Sequence, residues 1–484
     1  MKTRFISLIM IASAIAFASS CDKEGGENNG PVTPPDGGGE ETTFIAQVNE
    51  DGSILVGSDN GVDRINSLIK AIDTYADQKD LTVTEVNADG EIVGTDKTVD
   101  CSNVFLLERG GEYMIQGKGK ISSDVTIKAE DGDGELPVIE PLSDATGAVV
   151  ADMLVLEASA RFENIHFYMR DPVTDIIQER VLRVEAEGAT LELNNCFNEY
   201  CRNHYIRMEA GDVTVKLINS TFRNFAMGAS TNGRVIDARK NAMKQILIDN
   251  CLFYNVTGKI FRQDGQPIED ITITNSTFYN CGYGLPIYMP KKMTVENNIF
   301  ANCGYYTAAF PYGLKEDGTH DLDPVSGLAH NSNYFLDITG CTQIQADQTT
   351  IQAINDVDPS TIIINIRNNN IYNEQWLLDT YAEYKETALK DPIEATSLEL
   401  GDEEQWLKDN GATINIENTI EEVISFEKSC GALSDEYLAR IMTGDDDGSP
   451  ITESYYVTGE YSFLYTAGQS LTAATDGGKL GIRW

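Results

Sequence analysis

Residues 271–281 read "ITITNSTFYNC", an apolar–polar alternation that runs into Asn-Ser-Thr-Phe. The same syntax returns in "ILIDNCLFYNV" and "MTVENNIFANC". Aligning Asn-x-x-Phe gives Asn164/Phe167, Asn194/Phe197, Asn219/Phe222, Asn250/Phe253, Asn275/Phe278 and Asn297/Phe300. A degenerate copy, "NSNYF", ends at Phe335. Successive asparagines are 30, 25, 31, 25 and 22 residues apart. A period of this size with one strand pattern per unit is the mark of a solenoid. Helical repeats are excluded, because period-2 alternation of Val, Ile and Thr forms no amphipathic helix.

Stacked coils explain the two constant residues. Parallel strands lie about 4.8 Å apart, so equivalent side chains sit above one another. Asn at a sharp turn tolerates the left-handed conformation and bonds its counterpart in the next coil. A Phe three residues on points inward, each burial stabilising by roughly 1.5–3 kcal/mol. Asn194, Asn219, Asn250, Asn275 and Asn297, with Phe197, Phe222, Phe253, Phe278 and Phe300, are therefore expected as scaffold. The fold expected is all-β: a parallel β-helix, right-handed if the resemblance given below holds.

At 484 residues the chain is too long for one ordinary core, so length predicts either several domains or a solenoid. Acidic residues outnumber basic ones 76 to 36, a formal charge of −40. That balance repels nucleic acid and anionic lipid. The N-terminus reads as an address: Lys2 and Arg4, then "FISLIMIASAIAFA", then "ASSC" ending at Cys21. Small residues before a cysteine resemble a bacterial lipobox, with Cys21 acylated and residues 1–20 removed. Residues 21–42 have the composition of a flexible tether. Asp22 and Glu24 resemble the surface-export signal of glycan-degrading Gram-negative bacteria. The expectation is an outer-membrane lipoprotein facing the cell surface, touching the membrane only through its lipid. The remaining cysteines form no CxxC pair, and Cys281 and Cys303, three residues past the repeated Phe, read as stacked core residues.

A second column precedes the first. Arg183, Arg207, Arg239 and Arg262 stand 11 to 13 residues before the Asn of their coil. Each has an acid two positions away, on the same strand face: Glu185, Glu209, Asp237 and Asp264. These pairs suit a ladder of ion pairs between coils, or a strip of guanidinium groups for carboxylates or sulfates. From Arg202 to Arg262 basic residues outnumber acidic ones ten to four. Such a basic waist on an acidic body can focus a polyanion.

"GVDRINSLIKAIDTYAD" aligns Val62, Ile65, Leu68, Ile69, Ile72 and Tyr75 on one helical face, after Ser58 and Asp59. An amphipathic helix there suits the cap that an open solenoid end needs. The expected order is a capping segment over 43–100, β-helix over 101–341, and a mixed α/β C-terminal region over 342–484. In the last, "NEQWLLDTYAEYKETALKD" and "SDEYLARIMTG" read as helices and "SYYVTGEYSFLYT" as short strands.

The stretch "ERGGEYMIQGKGKISSDVTIKAEDG" after that helix resembles the opening of pectate-lyase-like right-handed β-helices. The tail "YSFLYTAGQSLTAATDGGKLGIRW" is similar to the ending of uncharacterised β-helix lipoproteins of bacterial polysaccharide-utilisation loci. Ile482 departs from that pattern, where a turn before Arg483 and Trp484 is expected. The resemblance spans roughly residues 55–484 and its motifs are structural. It implies a surface protein that handles polysaccharide alongside other outer-membrane glycan-uptake proteins, and it assigns no reaction.

Hydrolase motifs such as Gly-His-Gly with clustered aspartates are absent from the sequence, and no coil offers an outward carboxylate pair of the kind a glycosidase needs. β-Elimination needs less: a cation or calcium facing the carboxylate, and a base. Arg207, Arg239, Lys240 and Arg262 could serve. His204, beside the arginine column, is the better base candidate, while His166 lies inside a repeat motif and reads as structural. Asp317, Asp321 and Asp323 are dense enough to hold calcium, although their spacing matches no known loop. Three readings stand. The chain is a polysaccharide-binding protein using Arg183, Arg207, Arg239, Lys240, Arg262, Tyr254 and Tyr279, acidic glycans preferred to neutral ones. Alternatively it is a polysaccharide lyase with His204 and Arg239 as catalytic residues, or a structural solenoid.

Overall fold

The structure is a computed structural model that describes residues 46–57, 65–226, 232–239, 241–263, 267–282, 285–286, 290–305, 336–337, 358–384, 401–443 and 455–484. Cys21, Lys240, Asp317, Asp321, Asp323 and Phe335 lie outside them, as do the signal and tether segments.

The alternating stretches are strands, and they stack in parallel. The repeated turn of chain supplies one strand to each of three sheets. Among the described residues, Ala160–Glu163 joins a first sheet of twelve strands, His166–Tyr168 a second sheet of nine, and Arg180–Val184 a third sheet of six. Thr190–Asn194 then pairs in parallel with Ala160–Glu163, which starts the next coil. The chain is thus a parallel β-helix.

Ile246, Ile271 and Met293 stand in register on the first sheet and are buried in the common core. On the second sheet Phe222, Phe253, Phe278 and Phe300 stack. Ring centroids are 4.9, 4.8 and 4.9 Å apart along that series. Asn164, Asn219, Asn250, Asn275 and Asn297 have φ between 50° and 62°, the left-handed turn that Asn accepts. Amide-to-amide bonds such as Asn250 Nδ2 to Asn219 Oδ1, 2.7 Å, join the turns.

One copy is misaligned in the sequence reading. In "NNCFNEYC" the turn residue is Asn195, φ 52°, and Asn194 ends the preceding strand. The one-residue shift moves side chains to the opposite face. Phe197 is therefore in register with His166 on the outside, and Asn198 takes the inward place between Phe167 and Phe222. Asn198 is buried there, bonded to the Thr221 carbonyl and to the Tyr205 hydroxyl.

The capping helix forms as Ser67–Tyr75, with Leu68, Ile69 and Ile72 buried. Gly119 permits its approach, since a Cβ there would lie 2.8 Å from Leu154 and 2.9 Å from Ile69. Cys281 and Cys303 are buried in the core, and burial pushes the Cys281 thiol well above its usual range.

The solenoid does not stop at residue 341. Ile363–Arg367 and Thr413–Glu417 extend the first sheet, and Asn370–Tyr372 extends the second. The expected helices form as Gln375–Glu383 and Asp435–Thr443, and Gly401–Asp409 adds another. In place of the expected strands, Lys428 and Ser462 make an isolated antiparallel bridge. This region lies across the outer face of the second sheet. Phe463, Leu480 and Ile482 form one buried cluster with Leu252, Tyr254, Tyr279 and Ile299, and the partly buried Phe426 packs against it.

Candidate functional site

The arginine column occupies the outer face of the third sheet and is a network of ion pairs. Arg183 and Arg207 are in register, followed by Asp237 and then Arg262. Arg239 falls outside this column, because its backbone pairs with Gln263. Arg183 Nη1 donates to Asp152 Oδ2 at 3.3 Å and its Nη2 lies 2.7 Å from Glu185. Arg207 pairs with Glu209. Arg183 and Arg207 therefore each already have a carboxylate partner.

His204 is not an open base. It sits in strand His204–Met208, buried, with Nε2 2.7 Å from Asp237 Oδ2 and 2.7 Å from Arg234 Nη1. Arg262 Nη1 is 3.6 Å from the same Asp237 oxygen. Burial alone would raise the Asp237 carboxyl. The His204 bond and the charges of His204, Arg234 and Arg262 outweigh it and hold that carboxyl far below the carboxylate range. The cluster is a closed ionic knot.

Tyr254 and Tyr279 are also unavailable to a glycan, with 3% and 0% of their surface exposed. They belong to an outward column, Tyr168–Glu199–Arg223–Tyr254–Tyr279, one residue per coil. From Arg223 onward this column runs beneath the C-terminal region. Arg223 Nη1 donates to the Gly459 carbonyl at 2.8 Å, Tyr254 packs on Phe463, and Tyr279 donates to Glu374 at 2.7 Å.

Nearer the N-terminal coils this outer face is partly exposed, although Glu199 and Glu140 on either side of Tyr168 are buried. His166 and Tyr168 are partly exposed on the outer face, as is Phe197 one coil on. His166 Nε2 lies 2.8 Å from Glu199 Oε2, with 23% of the imidazole and only 4% of the carboxylate side chain exposed. The second Glu199 oxygen accepts from Arg223 Nε at 2.5 Å. Arg223 is itself fixed by the Tyr254 hydroxyl at 3.0 Å and lies over the Phe197 ring. The His166 ring is 4.9 Å from Phe197 and 5.8 Å from Tyr168. Burial pushes the Tyr168 phenol up to about 12. Arg170, two residues past the end of this strand, pairs with the exposed Asp175 at 2.5 Å, with only 12% of its own side chain exposed.

A separate polar groove of about 260 Å³ opens on the first sheet, lined by Asn103, Asp124, Thr126, Ser159, Arg161 and Glu192 among others. Arg161 is paired there with Glu192 at 3.3 Å. Among the described residues, no three His, Cys, Asp or Glu side chains are placed to hold a metal ion.

Residues 204–382 match the family model for the right handed beta helix region. The coils are therefore right-handed. No curated protein matches the chain. Among the described residues no helix is long and apolar enough to cross a membrane.

Sequence reasoning missed Glu199, Tyr168 and Arg170, and ranked His166 below His204. The signal was present in "HFYMR", where His166 and Tyr168 alternate along one strand and Arg170 follows just past its end. What could not be read was which outer faces the chain's own C-terminal region would cover.

Proposed function

We propose that the protein binds polysaccharide on the open end of the second sheet, as a lipoprotein held at the outer membrane and facing the cell surface. One observation carries this reading. On the outer face of the second sheet the chain itself covers Arg223, Tyr254 and Tyr279, yet leaves His166, Tyr168 and Phe197 partly exposed. Aromatic rings flanked by hydrogen-bonding groups suit the apolar face and hydroxyl rim of a sugar. Arg170, paired with the exposed Asp175 beside this face, favours acidic over neutral chains. Other glycan-uptake proteins of the outer membrane are its expected partners.

The test is retention of the purified protein on immobilised acidic and neutral polysaccharides over a salt series. Retention that Phe197→Ala and Tyr168→Ala both weaken, with folding intact, supports the site. Undiminished retention in both variants would move it elsewhere, and no retention on any polymer would leave a structural solenoid.

A further inference from the structure

We propose that the asparagine ladder is a protein-docking strip, whose open rungs Asn164, Asn195 and Asn219 hold an extended segment of a partner protein. This adds an interaction to the polysaccharide-binding reading and does not rest on it.

The chain shows the mode of docking on itself. Asn164, Asn195, Asn219, Asn250, Asn275, Asn297 and Asn368 form the ladder, all with φ between 50° and 62°. The C-terminal tail runs along one end of it. Asn368 Nδ2 donates to the Ala473 carbonyl at 2.5 Å. Asn297 Oδ1 accepts from the Thr475 amide at 2.9 Å, and its carbonyl accepts from the Gly481 amide at 2.8 Å. Asn250 Oδ1 accepts from the Arg483 amide at 2.7 Å. Beside these contacts Leu480 and Ile482 are buried with Leu252 and Ile299. Recognition thus has two parts. An Asn side chain reads the backbone, and an apolar side chain is buried on the neighbouring column.

The ladder outlasts the tail. Among the described residues the tail engages no rung before Asn250, yet Asn219, Asn195 and Asn164 continue the line toward the N-terminal coils. Asn195 is exposed, and Asn164 and Asn219 are partly so. Asn219 donates to Asn194 Oδ1 at 3.4 Å rather than to Asn195, because this copy carries two asparagines. Asn195 Nδ2 donates to Asn164 Oδ1 at 2.6 Å. Its own Oδ1 accepts from no donor among the described residues. That is the atom which Asn250 and Asn297 turn to the tail. The apolar half of the site is present too. Phe197 lies two coils from Leu252 in the same column, through Thr221, and is partly exposed.

Geometry and charge set the occupant. Asn219 to Asn164 spans two coils, roughly 10 Å, which three to four extended residues cover. Backbone contacts ask for no particular sequence, only free amides and one apolar side chain for Phe197. The formal charge of −40 and the partly exposed Glu163 beside Asn164 disfavour an acidic segment. A second copy is disfavoured as well, since its own tail is engaged and two chains of that charge repel. The occupant is a neutral or basic segment of another protein.

The probe is a fluorescent synthetic peptide copying tail residues 479–484, KLGIRW, added to the full-length protein and read by polarisation. Saturable binding is expected, weakened about tenfold in the double variant Asn164→Gly/Asn195→Gly. Glycine keeps the left-handed turn and removes only the amide, so melting and retention on polysaccharide should be little changed. Methylating the peptide's backbone nitrogens should abolish binding to the unaltered protein, a readout that does not depend on how the variant folds. Absence of saturable binding would overturn the proposal. Binding that the double variant keeps would overturn it too, and its loss in Asn250→Gly would show that the peptide merely exchanges with the tail.

Discussion

The rings of Phe253 and Phe278 lie face to face, 4.8 Å between centroids and within 3° of parallel. Their spacing is that of the coils, so each ring is packed by its neighbours in the column as well as by the core around it. Phe278→Ala removes the middle of the stack. The expected loss is about 3–5 kcal/mol, read as a lower denaturant midpoint with an unchanged slope. A loss under about 1 kcal/mol would mean that the column contributes little.

Asn198 and Tyr205 make a buried polar pair inside an apolar core. Asn198→Ala strands the Tyr205 hydroxyl and should cost about 1–3 kcal/mol. Tyr205→Phe in the same background should recover part of it. Additive single and double variants in thermal melts would refute the coupling.

The tail is a clasp. Asn250 accepts from the Arg483 amide at 2.7 Å and from the Trp484 indole at 2.9 Å, while Asn297 and Thr475 exchange two bonds. Gly481 passes so close that a Cβ would meet Thr277 at 2.5 Å. Removing residues 475–484 should uncover Leu252 and Ile299, each burial being worth roughly 1.5–3 kcal/mol. Binding of an apolar dye and faster proteolysis near residue 460, with the solenoid's circular dichroism retained, would report the release.

Asp237 makes stability depend on pH with a definite sign. Its folded pKa lies below the unfolded carboxylate value, so its contribution is complete above about pH 4 and is lost as pH falls toward the folded pKa. Asp237→Asn leaves His204, Arg234 and Arg262 without their shared anion and should cost about 3–5 kcal/mol at neutral pH. Melting temperatures from pH 7 down to acid should fall more steeply for the wild type than for the variant. Parallel curves would contradict the linkage.

Alternation and the returning Asn-x-x-Phe determine the strands, their parallel stacking, the inward Phe column and the left-handed Asn turns. These are local rules repeated at a fixed period, and each copy confirms the others. The reading slipped where a copy was ambiguous: "NNCFN" offers two asparagines, and only pairing with the coil below selects Asn195 over Asn194. It also passed over a second asparagine column, Asn224, Asn255, Asn280 and Asn302, although Phe-x-Asn recurs in the sequence.

The candidate site was legible only in its ingredients. One imidazole proves buried against Asp237 while the other stays half open against Glu199, and two exposed-looking tyrosines prove covered by Phe426, Tyr461 and Phe463. Periodicity says which side chains point outward, because that follows from the backbone of one strand. Whether an outward side chain meets solvent depends on segments some two hundred residues away, and only the folded chain brings those together.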